Sequence, residues 1–181
     1  SEYITHGLLR LVSVMDHTPG QRQFVDHAKY KQYYGGKYNL NDAEFDLFVA
    51  EAELAQARYA VANRRHIVGL CRRHGVALAS HDDATGLHVA EAKRDGAVIA
   101  EFPTTHDAAD ACAANGLSVL MGAPNVMRGG SHSGNVAAHE LAERGVLDIL
   151  SSDYVPASLL QAVFKLTEFE GEAGLPRAMA M

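Results

Sequence analysis

What this 181-residue chain has little of narrows its class first. It holds two cysteines, Cys71 and Cys112, and no Cys-x-x-Cys pair. Both fall in helical patterns, which suits small buried residues in a reduced, cytoplasmic setting better than a disulfide framework or a redox pair. No Gly-x-Ser-x-Gly elbow occurs, so nucleophilic serine or cysteine chemistry lacks support. No apolar run reaches the roughly 18 residues of a membrane span, and no secretory signal pattern is present. Basic residues are the minority, 16 against 22 acidic, for a formal charge of −6. That balance argues against a nucleic-acid scaffold. It leaves room for an anionic small substrate, because a local patch or a bound metal reverses the field. Gly-Lys-Ser/Thr is missing, so there is no Walker loop, and the glycine spacing of a dinucleotide fingerprint is missing too. Internal sequence repeats are absent.

What is present is a globular composition, 48% hydrophobic and 21% charged, long enough for one ordinary core. Ten histidines direct attention to metal ligation.

The chain opens with a strand-like run, Leu8 to Met15, that ends in Asp16-His17-Thr18-Pro19-Gly20. Arg22 to Tyr38 is basic and tyrosine-rich. It reads as a short helix and a loop around Gly35-Gly36, either a lid or simple cover. Asn41 and Glu44 form a capping box for a helix that runs to about His74, with Gly75 as its stop. At about 32 residues, roughly 48 Å, a break near Ala62-Asn63 is expected. His66 and His74 lie on its solvated basic face. From Gly75 the rhythm is regular. Strand 76–80 leads to helix 86–94, strand 97–101 to helix 106–114, strand 117–121 through a long loop to helix 134–144, and strand 147–150 to helix 156–167. Thr85, Thr105, Ser133 and Asp153 are the expected caps, and a weakly ordered tail follows Glu170.

These are successive βα units, so the fold class is α/β with a parallel sheet and right-handed crossovers. Five units make a partial (β/α) barrel of TIM type, or alternatively a doubly wound sheet. The strand tips carry the chemistry. His81 and Asp153 are the metal-ligand candidates; a strand-end histidine bonded to backbone and a helix cap are the plain alternatives. Asp82 suits orientation of the His81 imidazole, and Asp83 suits capping of the next helix. Glu101 stands at the rim of its strand, and His17 or Arg22 at the first tip meets substrate or serves the turn. The loop Gly122 to Asn135 is long for a βα connection. With Arg128, Gly129, Gly130, Ser131, His132 and Ser133 before a helix N-terminus, it reads as a phosphate cradle.

Five segments together resemble one family: MDHTPGQRQF (15–24), ASHDDAT (79–85), AEFPTT (100–105), MGAPNVMRGGSHSGNVAA (121–138) and LDILSSDYVPASLLQAVFKL (147–166). They are similar to the PhnM family of the amidohydrolase superfamily, over nearly the whole chain. The resemblance implies a metal-dependent (β/α)8 barrel with a flanking β domain. It also implies hydrolysis of alpha-D-ribose 1-methylphosphonate 5-triphosphate to the 5-phosphate and pyrophosphate, within the carbon–phosphorus lyase pathway. On that pattern His81 is a metal ligand and Asp153 is both ligand and general base, with zinc, or manganese, as the ion. The superfamily's first-strand His-x-His, its bridging Lys or Glu and the flanking domain are absent. The chain then corresponds to the middle and late barrel, its metal site is incomplete, and it is expected to be inactive alone, with self-association or strand exchange at open edges. The partner is a small-molecule phosphonate ribose triphosphate, with no nucleic acid and no membrane. Two rivals remain: an amidohydrolase acting on a C–N bond, separable by ammonia release, and a non-catalytic phosphate-binding α/β module.

Overall fold

The structure is a computed structural model, and it describes residues 7–24, 27–131, 134–170 and 174–181. Five strands form one all-parallel sheet: β1 Leu11–Val14, β2 Ala77–His81, β3 Ile99–Glu101, β4 Ser118–Gly122 and β5 Ile149–Ser151. Their spatial order is their chain order, β1-β2-β3-β4-β5. A doubly wound sheet reverses its order at a switch point; no reversal occurs here. Short apolar runs buried on both faces explain the strands: Leu78, Ala79, Ala100, Val119, Met121 and Leu150 are all in the core. The register sets His81 beside Glu101 and Gly122 beside Ser151, so the polar strand ends share one rim.

Helix α1, Asp42–His74, has both halves of its capping box at Asn41 and Glu44 and ends on left-handed Gly75. It runs unbroken through Ala62 and Asn63, against the expected interruption. Ala52, Ala55, Ala57, Ala60 and Ala62 supply the helix propensity. Helices α2 (Gly86–Asp95) and α3 (His106–Ala114) start on Thr85 and Thr105, whose hydroxyls accept the His88 and Ala108 N–H groups. Val89, Ala92, Ala108, Ala109 and Cys112 of these two helices are fully buried, and neither cysteine is bridged.

Four expectations are corrected. The 27–38 region has no loop at Gly35-Gly36; both glycines are helical, and Asn39, in the left-handed region, ends the segment. The long βα connection begins with a helix, α4 Ala123–Arg128, and the next, α5, starts at Ala138 rather than Gly134. Its first N–H groups are held by Glu140 and by Asn125, and Ser133, the expected cap, lies outside the described residues. Asp153 caps nothing; α6 is Ser158–Glu170, and the Ser158 N–H donates to the Val155 carbonyl. The C-terminal residues form α7, Gly174–Ala180, instead of a loose tail. Ala178 is buried there, and the Leu150 N–H donates to the Met181 carbonyl. No helix among the described residues is long and apolar enough to cross a membrane.

Candidate functional site

The strand ends open onto a cleft of about 590 Å³. His17, His81, Asp82, Arg128, Ser131 and Asp153 all line it. An imidazole, a carboxylate and the glycine–arginine loop therefore share one cavity. His132 and Ser133 lie outside the described residues.

The β2 tip is the most tightly built part. Asp82 is buried, and its backbone is left-handed, φ 53°. Its Oδ2 lies 3.1 Å from His17 Nε2 and 3.5 Å from His81 Nε2. Ligand atoms of these three residues fall within 4.8 Å of one another. On its other side His81 Nδ1 lies 3.0 Å from Glu101 Oε2 and 3.2 Å from Ser13 Oγ. The Glu101 carboxyl is held below the usual carboxylate range: burial pushes it up, but hydrogen bonds to His81 and Ser13 outweigh that. An ionised Glu101 only accepts, so the His81 Nδ1 donates to it, and Nε2 on the other side of the ring faces the Asp82 carboxylate. No Lys or Arg nitrogen pairs with Asp82 among the described residues. Two imidazoles and a carboxylate so arranged fit a divalent cation, with Glu101 orienting one of the rings.

This is not the expected pairing of His81 with Asp153. Asp153 stands outside the cluster, on the β5 side of the same cleft. It is exposed, its φ is 49°, and its N–H donates to Ser151 Oγ at 3.0 Å. A Cβ on Gly122 would sit 3.1 Å from Asp153 Oδ2, so the glycine leaves the carboxylate its room. Asp82 is a member of the cluster rather than the carboxylate that orients His81; Glu101 has that place. Asp83 is no helix cap. It is fully buried, takes the Arg22 guanidinium and the Ser80 hydroxyl, and leaves capping to Thr85. Arg22 points away from the cleft toward Asp83, the His81 carbonyl (3.3 Å) and Glu91 (2.9 Å).

The glycine loop is also organised differently from a cradle. The Gly129 and Gly130 N–H groups are spent on carbonyls of α4, chiefly Asn125 at 3.0 Å. Arg128 is exposed; its Nη1 donates to the Tyr154 hydroxyl at 3.0 Å and its Nε to the Gly130 carbonyl at 3.4 Å. Asn125 and Tyr154 were not singled out in the sequence. Asn125 ties the loop through its carbonyl, its Oδ1 to the Ala138 N–H and its Nδ2 to the Val136 carbonyl. Its place directly after Pro124 in a helical turn was the available signal.

Phe102, immediately after β3, is likewise left-handed at φ 55°, and its ring meets that of His81 edge to face with centroids 5.2 Å apart. A bulky residue there costs roughly 1–3 kcal/mol, and such cost gathers at functional rims.

Over 172 residues the chain is 56% identical to the "Alpha-D-ribose 1-methylphosphonate 5-triphosphate diphosphatase" of Escherichia coli (strain K12). The alignment covers 94% of this chain and 46% of that protein. The chain is a homologue of part of that enzyme. It spans about half the length of the relative it matches. No family model and no solved structure matches it. The resemblance read from the five motifs therefore holds across almost the whole sequence.

Proposed function

We propose that this chain is the part of a metal-dependent diphosphatase that carries the βα units of its cleft, and that the substrate is alpha-D-ribose 1-methylphosphonate 5-triphosphate. The observation that carries the reading is the shared cleft: a His17–His81–Asp82 cluster around the buried Asp82 on one side, Arg128 and Asp153 on the other. The 56% identity to the diphosphatase supports the substrate. The unreversed strand order supports a (β/α)8 barrel, in which β1 and β5 would pair onward with further strands or with a second copy. Two free cysteines suit a cytoplasmic setting.

His17, His81 and Asp82 would hold the divalent ion, zinc or manganese. Such an ion lowers the pKa of water toward about 7 and offsets charge on phosphoryl oxygens. Asp153, unbonded through its carboxylate among the described residues, accepts the proton of the attacking water. Arg128, steadied by Tyr154, binds the phosphoryl oxygens as negative charge builds on them. Glu101 keeps the His81 ring in one tautomer. Pyrophosphate leaves from the α-phosphorus.

The test is a chimera in which this chain replaces its 172 aligned residues in the Escherichia coli relative. Pyrophosphate release from the ribose triphosphate, with no ammonia from cyclic amides, is the expected outcome. A folded chimera that binds metal and releases ammonia instead would show a C–N hydrolase.

A further inference from the structure

Residues His27 to Tyr38 are helical throughout, but the middle, Lys31–Gly35, is a π-helix. The segment closes at left-handed Asn39, after which the Leu40 N–H reaches back to the Gly35 carbonyl at 3.0 Å. Turns of the π type are rare inside helical segments and frequently mark functional sites. Here Tyr33, Tyr34 and Lys37 line the same cleft as His17, His81 and Asp82. The segment is braced on α1: Tyr34 and Tyr38 stack with centroids 6.0 Å apart, and both meet Phe48, at 6.2 and 5.8 Å. Lys37 Nζ stands 5.8, 5.8 and 5.5 Å from the ring centroids of Tyr33, Tyr34 and Tyr38.

A second lysine on the segment gives the comparison. Lys31 also lies over a ring, 5.6 Å from Phe45, but it is paired with Asp42 at 3.0 Å and does not line the cleft. Lys37 has no carboxylate partner among the described residues. Ring quadrupoles hold an ammonium in place without neutralising it, so its charge stays available to an anion. The cleft already contains Asp82 and Asp153, and a phosphoryl chain with several negative charges needs more than one cation to offset them. Arg128 is one.

On the diphosphatase reading, we infer that Lys37, caged by Tyr33, Tyr34 and Tyr38, is the cleft's second phosphate-binding cation and sets its preference for a polyphosphate chain over a single phosphate. Its role is binding: it touches phosphoryl oxygens and takes no proton.

Isothermal titration of the full chain with inorganic tripolyphosphate and with inorganic phosphate, in metal-free buffer, tests this. Lys37→Gln should weaken tripolyphosphate binding about tenfold and phosphate binding by less than about twofold. Lys31→Gln should change neither, and Lys37→Arg, which keeps the charge, should stay within about threefold of wild type. Equal effects of Lys37→Gln and Lys31→Gln overturn the inference. So does an equal loss for both anions, or a wild-type chain that does not bind tripolyphosphate. None of these touches pyrophosphate release by the chimera, so the diphosphatase reading stands or falls separately. Lys37 is exposed, and matching thermal melts of the variants show that folding is not the cause of a loss.

Discussion

The β2–β3 side of the cleft and the β4–β5 side are built to different standards. On the first, His81, Asp82 and Asp83 are buried, and every carboxylate has a bonded neighbour: Asp82 has His17, Asp83 has Arg22 and Ser80, Glu101 has His81. On the second, Arg128, Asp153 and Tyr154 are exposed, and the Asp153 carboxylate is bonded to nothing among the described residues. Groups that must converge on one small ion need fixed geometry, which surrounding contacts supply. Groups that follow a phosphoryl centre through reaction work from looser elements. The same substitution logic should therefore cost stability on one side and activity on the other.

The largest expected effect is on the tight side. Arg22→Ala leaves Asp83 buried and unpaired by any cation. An uncompensated buried charge costs about 3–5 kcal/mol. Urea unfolding should show a loss of that order, and a loss under about 1 kcal/mol would mean that the Arg22–Asp83–Glu91 contacts do not hold the β2 tip.

On the loose side the sign of the comparison reverses. Asp153→Asn should leave unfolding free energy within about 0.5 kcal/mol of wild type, as for an exposed residue without partners. In the chimera it should lower turnover by about a hundredfold or more, the usual contribution of a placed general base. Turnover above a tenth of wild type would remove Asp153 from proton transfer.

Gly122→Ala probes the join between β4 and Asp153. The added Cβ meets Oδ2 at 3.1 Å, so the carboxylate must move by a few tenths of an ångström. The backbone itself is unstrained, φ −79°, and accepts alanine. We expect a turnover loss of about tenfold with a small stability change, since displacement by a fraction of an ångström is enough to spoil a reacting geometry. An unchanged rate would show that Asp153 adapts freely.

The difference between the two sides also governs what the sequence revealed. Strand and helix positions followed from periodicity, because buried apolar runs and the Asn41, Thr85 and Thr105 caps act locally. The tight cluster did not. In sequence His17 reads as a substrate or turn residue and Asp82 as a carboxylate orienting His81, and the two meet only because β1 and β2 pair in register, with Val14 opposite Ser80. Asp83 followed by Thr85 reads as competing caps until Arg22, 61 residues away, claims the carboxylate. The glycine loop misled in the other direction. Gly129 and Gly130 suggest free N–H groups, yet a six-residue helix, too short to announce itself by periodicity, consumes both.

The smallest expected effect is on pH dependence, at the foot of the tight side. His88 is held below the ordinary imidazole range of 6.5, by burial first and then by the Arg22 charge. Its Nδ1 accepts the Ala84 N–H at 3.1 Å, which ties the turn after Asp83 to α2 and requires that nitrogen to be unprotonated. The folded state therefore binds a proton less readily than the unfolded state. By linkage, stability is complete above pH 6.5 and falls as the pH drops below it, until the folded form also protonates. His88→Gln removes this titration while keeping a polar side chain that can bond the turn. Urea unfolding at pH 7.5 and at successively lower pH should show a declining wild type and a flatter variant through that interval. Parallel curves would assign the pH response elsewhere.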